Sequence, residues 1–327
     1  NSVLYDRTNF LIFAERQGSL MIICVYLNPT IDKTVYLDRL VIGGTNRPSK
    51  VIMNGAGKGI NAAVVLKELK KDVKVMGILH KSYGTIIKDR LEAKSIFYDF
   101  LEIDGQTRVN TKIFDEQAQV LTEINESGTK IAMEFANRVA DEVVATAKSD
   151  DMVILTGSIP LGCEKNVYAK TIEKLNKKGV RCVLDADGEA LRLGILQKPY
   201  FIKPNIDELK SITQLKSESI SDVLEACRNI IQTGVKVVAV SMGGDGALIV
   251  DESKAYFAKP QKVEVKSTVG AGDSMVAGIA ASIDEGIDAA LRAGVAAATA
   301  SITLEGTELC TLKLYEKFYD KIEIIEV

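Results

Sequence analysis

The chain has 327 residues, 46% hydrophobic and 26% charged, a balance that supports a large core. A net charge of −3 gives nucleic acid no bulk attraction, and no apolar run reaches the roughly 18 residues a membrane span needs. Five cysteines without metal-ligand spacing, and one histidine, argue against a disulfide framework and a multi-histidine metal site and fit reduced thiols in the cytoplasm.

Residues 1–20 read as a leader or extension outside the core, because Leu20-Met21-Ile22-Ile23 looks like the start of the fold. Met21 to Leu27 is an apolar run the length of a buried strand. Pro29 breaks it, and Asp32 then stands just past its end, where ligands bind in open α/β sheets. Asp32 can accept hydrogen bonds from sugar hydroxyls or serve only as a turn residue. Thr34–Leu37 and Arg47–Met53 alternate and predict small antiparallel strands.

Gly55-Ala56-Gly57-Lys58-Gly59 then leads into a helical pattern over Val64–Lys70. Its glycines make a backbone nest, and Lys58 supplies a point charge for an anion. The order is not that of a Walker A loop. Asn61 can cap the helix or touch a ligand. Val73–Leu79 predicts a strand that leads to His80, which is read as non-catalytic, and Gly84–Leu91 predicts a weak helix. Ile96–Leu101 and Arg108–Phe114 are expected to form a hairpin about Asp104-Gly105, with Gln119–Ile124 continuing that sheet. Alternation puts Arg108, Asn110 and Lys112 on one face, suited to an anionic substrate or simply to solvent.

Helices over Ile131–Ala147, Lys165–Lys177 and Ser219–Gln232 alternate with strands over Asp151–Leu155, Arg181–Leu184, Tyr200–Ile202 and Val235–Val240. That alternation predicts an α/β fold with a mostly parallel sheet covered on both faces. Lys203-Pro204-Asn205 and Glu208 follow one of these strands. Ser241-Met242-Gly243-Gly244-Asp245-Gly246 precedes a strand, so it is a tight turn open to a nucleotide and not a dinucleotide fingerprint. Val263–Lys266 is strand-like, and Gly270-Ala271-Gly272-Asp273 then turns into a helix of small residues. Free N–H groups at that helix start suit an anion, and the dipole there should keep Asp273 ionised. Ile287–Ile302 predicts a second small-residue helix.

Taken together and in order, Asn28-Pro29-x-x-Asp32, Gly57-Lys58-Gly59-x-Asn61, Thr107-Arg108-x-Asn110, Gly157-Ser158-x-Pro160, Lys203-Pro204-Asn205-x-x-Glu208, Ser241-x-Gly243 and Gly270-Ala271-Gly272-Asp273 resemble the ribokinase-like sugar kinases. More narrowly they resemble the branch that acts on phosphorylated hexoses. The resemblance covers Met21 to Val327. It implies one kinase domain over residues 21–327, a three-layer α/β/α doubly wound sheet with a small β-strand lid drawn from about 33–53 and 96–124. It implies ATP and Mg²⁺, a small-molecule sugar phosphate as partner, and lids that pair into a homodimer.

By the same resemblance Asp273 is the base, and the backbone of Gly270, Ala271, Gly272 and Asp273 forms the anion hole. Asp32, Gly57 and Asn61 hold sugar hydroxyls, while Lys58, Arg108 and Asn110 meet the existing phosphate. Lys203, Asn205, Ser241, Gly243 and Gly246 serve the nucleotide, and Glu208 reaches magnesium through water. Ala56 stands where the branch usually has glycine, and His80-Lys81-Ser82 where it has a Gly-rich turn. Thr34-Val35-Tyr36, Arg108-Val109-Asn110-x-Lys112-Ile113 and Thr122-Glu123-Ile124-Asn125-Glu126 look most like fructose-1-phosphate kinases, then tagatose-6-phosphate kinases, then fructose-6-phosphate kinases; a non-catalytic sugar-phosphate-binding regulator is the remoter alternative, and the intact Gly270–Asp273 motif argues against it.

Overall fold

The computed structural model describes residues 20–327, so the extension expected over 1–20 lies outside the described residues except for Leu20. The strands are β1 (Met21–Tyr26), β2 (Thr30–Leu37), β3 (Lys50–Ala56), β4 (Asp72–Ser82), β5 (Phe97–Gln106), β6 (Arg108–Asp115), β7 (Val120–Ile124), β8 (Met152–Thr156), β9 (Arg181–Asp185), β10 (Phe201–Ile202), β11 (Val237–Ser241), β12 (Ala247–Val250), β13 (Ala255–Ala258) and β14 (Ile324–Glu326). The helices are α1 (Lys58–Glu68), α2 (Gly84–Ala93), α3 (Met133–Thr146), α4 (Val167–Lys177), α5 (Gly188–Ile195), α6 (Ile206–Ile212), α7 (Ile220–Gln232), α8 (Ala271–Ser282), α9 (Ile287–Ile302) and α10 (Leu312–Tyr319).

Ten strands form the main sheet in the order β14-β13-β12-β11-β10-β9-β8-β1-β4-β5. It is parallel from β5 to β11 and antiparallel beyond. All residues of β1 are buried, which is why it reads as an unbroken apolar run. Its side chains alternate between two cores: Met21, Ile23 and Val25 join residues of α3, α4 and α7, such as Val143, Ile172 and Val223. Ile22, Cys24 and Tyr26 join residues of α1, α8 and α9, such as Val65, Ile279 and Leu291. The period-2 pleat thus gives the sheet helices on both faces.

A second sheet, ordered β3-β2-β6-β7, holds the remaining strands. Its register places Asp32 opposite Asn54 and Asn110, and Thr34 opposite Ile52 and Lys112. The neighbouring row, Met53, Lys33, Thr111 and Ile124, and the row Val51, Val35, Ile113 and Thr122 point the other way. One face is polar and the other carries exposed Val51, Met53 and Ile124.

Several expectations need correction. Phe97–Gln106 does not form a hairpin with β6; it extends the main sheet parallel to β4, where Leu101 and Ile103 become buried. Burial of that apolar pair outweighs the Asp104-Gly105 turn signal. Val263–Lys266 is not a strand, because Lys266 N–H donates to Ile302 O, at the end of α9, over 2.8 Å. Asp32 lies inside β2, not in a turn, and α1 already begins at Lys58. Gly57 makes that early start possible: its φ of 121° is a conformation other residues rarely adopt.

Candidate active site

The starts of α1 and α8 meet through Asn61 and Asp273, and both adjoin Asp185 and Lys203 at the carboxyl ends of β9 and β10. Asp273 lies in the first turn of α8, after Gly270, whose φ is 73°. That left-handed backbone favours glycine, and a Cβ there would also press on the Leu309 side chain, 2.4 Å from its Cδ2. The Ala271 amide donates to Thr268 O at 3.3 Å, while the amides of Gly272 and Asp273 have no backbone acceptor among the described residues. Those two form the open part of the helix mouth. A Cβ on Gly272 would stand 3.6 Å from Lys203 Nζ, which places that ammonium beside the mouth.

Asn61 Nδ2 donates to Asp273 Oδ2 over 2.8 Å. Asp273 is 8% exposed. Burial pushes its carboxyl up to about 6, while Lys58, the Asn61 hydrogen bond and Lys203 pull it down and Asp185 pushes it up. The acid is therefore ionised at neutral pH, as expected at a helix mouth, but burial makes it a stronger base than an exposed aspartate.

Asp185, at the end of β9, carried no assigned role in the sequence reading. It is 2% exposed and lies 3.3 Å from Lys58 Nζ and 3.5 Å from Lys203 Nζ. Thr156 Oγ1 donates to it at 2.9 Å. Burial favours its neutral form, but Lys58, Lys203 and Thr156 outweigh burial and the net shift is downward. Lys58 is likewise opposed by burial, yet Asp185, Asp273 and Glu208 hold its ammonium above the ordinary value. Its place at the end of a parallel strand was the available signal for Asp185.

Lys112 is the second omission. Its Nζ donates to Asp32 Oδ2 at 2.6 Å, with both residues buried. The sequence placed Lys112 on the face of Arg108 and Asn110; the structure adds that it pairs with the candidate hydroxyl-binding acid. Arg90, on α2, is the third. It donates to Gly55 O and, at 3.3 Å, to Asn61 Oδ1. No motif marked it.

A cavity of 320 Å³ reaches Lys58 and is lined further by Tyr26, Asn28, Arg108, Asn110 and Ser158 among others. Arg108 donates to Glu126 O at 3.0 Å and to Asn28 O at 3.5 Å. Arg108 Nε, Asn110 Oδ1 and the Tyr26 hydroxyl are buried without a hydrogen-bond partner. Buried polar atoms of this kind ordinarily have partners, so these mark places for a ligand's polar groups. Of the residues lining the cavity itself, Lys58 and Arg108 are cationic and only Asp187, exposed at the rim, is acidic. That surplus suits an anionic ligand.

After β10, Asn205 and Glu208 bond to each other. Asn205 N donates to Glu208 Oε2 and Glu208 N to Asn205 Oδ1, each at 2.8 Å, capping α6. A bridge from Asn205 to Ser241 brings the Gly243–Gly246 turn alongside. Met242 N donates to Gly246 O at 2.9 Å, and Gly246 has a φ of 110°. Among the described residues no group of three or more His, Cys, Asp or Glu could hold a metal ion, and no helix is long and apolar enough to cross a membrane. His80 is buried, and burial lowers its pKa.

The model of the pfkB family carbohydrate kinases matches residues 26–314. The 1-phosphofructokinase of Bacillus subtilis (strain 168) is 33% identical over 304 residues, 93% of this chain and 99% of the relative. The tagatose-6-phosphate kinase of Staphylococcus epidermidis is 32% identical over 266 residues, 80% and 85% of the two chains. The tetrameric inhibited form of Escherichia coli phosphofructokinase-2 superposes with a TM-score of 0.86 at 25% identity, covering 93% of this chain and 99% of that one. With the family model matching residues 26–314 and these relatives covering 80–93% of its length, the chain belongs to the pfkB family of carbohydrate kinases.

Proposed function

We propose that this sugar-phosphate kinase transfers the γ-phosphoryl group of ATP to a primary hydroxyl of fructose 1-phosphate, giving fructose 1,6-bisphosphate. The observation that carries the reading is Asp273, buried at the α8 mouth, held by Asn61 and coupled to Lys58, which with Arg108 lines the neighbouring cavity. Asp273 orients the acceptor hydroxyl and takes its proton, and a carboxyl near 6 is ionised at neutral pH yet basic enough to do so. The amides at the helix mouth and Lys203 steady charge on the group in transit, so the protein acts by position and electrostatics.

Asp32, fixed by Lys112, accepts from sugar hydroxyls together with Asn61 and the Gly57 backbone. Lys58, Arg108 and Asn110 hold the phosphate already on the sugar. Lys203, Asn205, Ser241, Gly243 and Gly246 serve ATP. Mg²⁺ would arrive with the nucleotide and neutralise phosphate charge; Glu208 fits it only through water, since its carboxylate also caps α6.

The small sheet acts as a lid that shuts water out. Its apolar face, with Val51 at 45%, Met53 at 37% and Ile124 at 56% exposed, is the surface through which two copies pair as a homodimer. The test of substrate is a coupled ADP-release assay with fructose 1-phosphate, tagatose 6-phosphate, fructose 6-phosphate and fructose. The highest kcat/KM is expected for fructose 1-phosphate. The Staphylococcus epidermidis relative favours tagatose 6-phosphate as the second reading. Equal turnover of unphosphorylated fructose would contradict both.

A further inference from the structure

We propose that Arg90 sets the orientation of the Asn61 side-chain amide and, through it, the hydrogen bond that holds Asp273. Arg90 is then a positioning residue for the base; this deepens the function proposed above and rests on it for the role of Asp273.

The two ends of an asparagine amide have nearly the same shape but opposite chemistry. A carboxylate beside Asn61 gains only if the NH₂ end faces it. The ionised acid favours that end by itself, but once protonated it can pair with either end, and Asn61 then has no means of holding the choice. Arg90 provides one, because a guanidinium only donates. With its Nη1 at 3.3 Å from Asn61 Oδ1, the oxygen is drawn toward α2, and Nδ2 is left to donate to Asp273 Oδ2 at 2.8 Å.

Arg90 is itself held in place. The same Nη1 donates to Gly55 O in β3. Gly55 lets α2 approach that strand closely: a Cβ there would come within 2.6 Å of Ile87 Cα. The Arg90 guanidinium is buried, which works against its charge, while Asp32 and Asp273 favour it. The bland alternative is a tether of α2 to β3 with no effect on Asp273.

The groups facing Asp273 are Asn61 and Lys58 from α1, Asp185 from β9, Lys203 following β10 and, one residue further out, Arg90 from α2. Removing Arg90 frees the amide to turn, weakens the donation to Asp273 and favours the protonated acid. A tether would leave only the through-space pull of the Arg90 charge, which Arg90→Lys keeps and which does not depend on Asn61.

The experiment titrates the Asp273 carboxyl by ¹³C NMR in the full chain for wild type, Arg90→Lys, Arg90→Met, Asn61→Ala and the Arg90→Met/Asn61→Ala double variant. ADP release is followed over the same pH range with fructose 1-phosphate. Arg90→Met is expected to raise the Asp273 pKa by about one unit and lower kcat about tenfold, the scale of one hydrogen bond, with the KM for ATP unchanged. Arg90→Lys, which keeps the charge and a donor, is expected to fall between, and it carries the comparison if Arg90→Met does not fold. In the Asn61→Ala background, Arg90→Met is expected to add only the smaller through-space part of the shift. An unchanged pKa in Arg90→Met and Arg90→Lys, or an equal shift with Asn61 absent, overturns the proposal. The expected NMR shifts in a wild type that turns over no phosphohexose would sustain the relay and remove the kinase reading instead.

Discussion

Asn61 and Asp273 lie 212 residues apart in the chain and 2.8 Å apart in the fold. That hydrogen bond fuses the glycine-rich start of α1 with the glycine-rich start of α8, so two loops that are weak signals separately become one site. It also offsets part of the cost of burying Asp273.

That cost predicts how stability depends on pH. The Asp273 carboxyl rises from 3.8 to about 6 on folding, so the folded state binds this proton more tightly than the unfolded chain. Its penalty is absent below about pH 4, grows between about 4 and 6, and is complete above, reaching about 3 kcal/mol. Asp273→Asn removes the charge and should unfold at higher denaturant than wild type at pH 7. The gap should close toward pH 4. A gap independent of pH would remove Asp273 as its source.

Asp185→Asn should do the reverse. It leaves Lys203, 5% exposed, without its buried counter-charge. Urea unfolding at pH 7 should show a loss of about 3 kcal/mol, the scale of a broken buried pair. The folded fraction should also turn over more slowly, because Lys58 and Lys203 lose the group that aligns them. Unchanged stability would mean that solvent already screens the cluster.

Arg108→Ala should act on sugar binding. Its Nε is buried without a partner beside the cavity. Loss of a charge-assisted contact to phosphate should raise the KM for fructose 1-phosphate tenfold or more, on the order of 1.5–3 kcal/mol, with the KM for ATP little changed. An unchanged sugar-phosphate KM in folded protein would place the phosphate elsewhere.

The apolar face of the small sheet should govern assembly. Val51→Asp with Met53→Asp puts charges on a face that is solvent-exposed in the single chain, so each copy should still fold. Analytical ultracentrifugation should show a dimer for wild type and a monomer for the variant. A monomeric wild type at micromolar concentration would contradict pairing through this surface.

Much of this was legible in the sequence because it is local. The buried run of β1, the bounds of α9 and the turn glycines around Asp273 follow from periodicity and backbone freedom within a few residues. What depends on distant partners was not. Phe97–Gln106 has turn chemistry on its flank but is claimed by β4. Lys112 alternates as a surface residue would, and only the β2–β6 register brings it onto Asp32. Arg90 sits in an unremarkable helix, and nothing near it in the chain signals Asn61. Asp273 was placed at a helix mouth, but the depth of its burial, which decides its protonation, is a property of the assembled core.

The most direct measurement is ADP release by wild type and Asp273→Asn at saturating ATP and fructose 1-phosphate, with folding of the variant checked by its melting curve. Wild type should require the sugar phosphate for turnover, and the variant should lose at least about 10²-fold in kcat while melting no lower at pH 7. Turnover near the wild-type rate in the folded variant would contradict Asp273 as the base and the mechanism built on it.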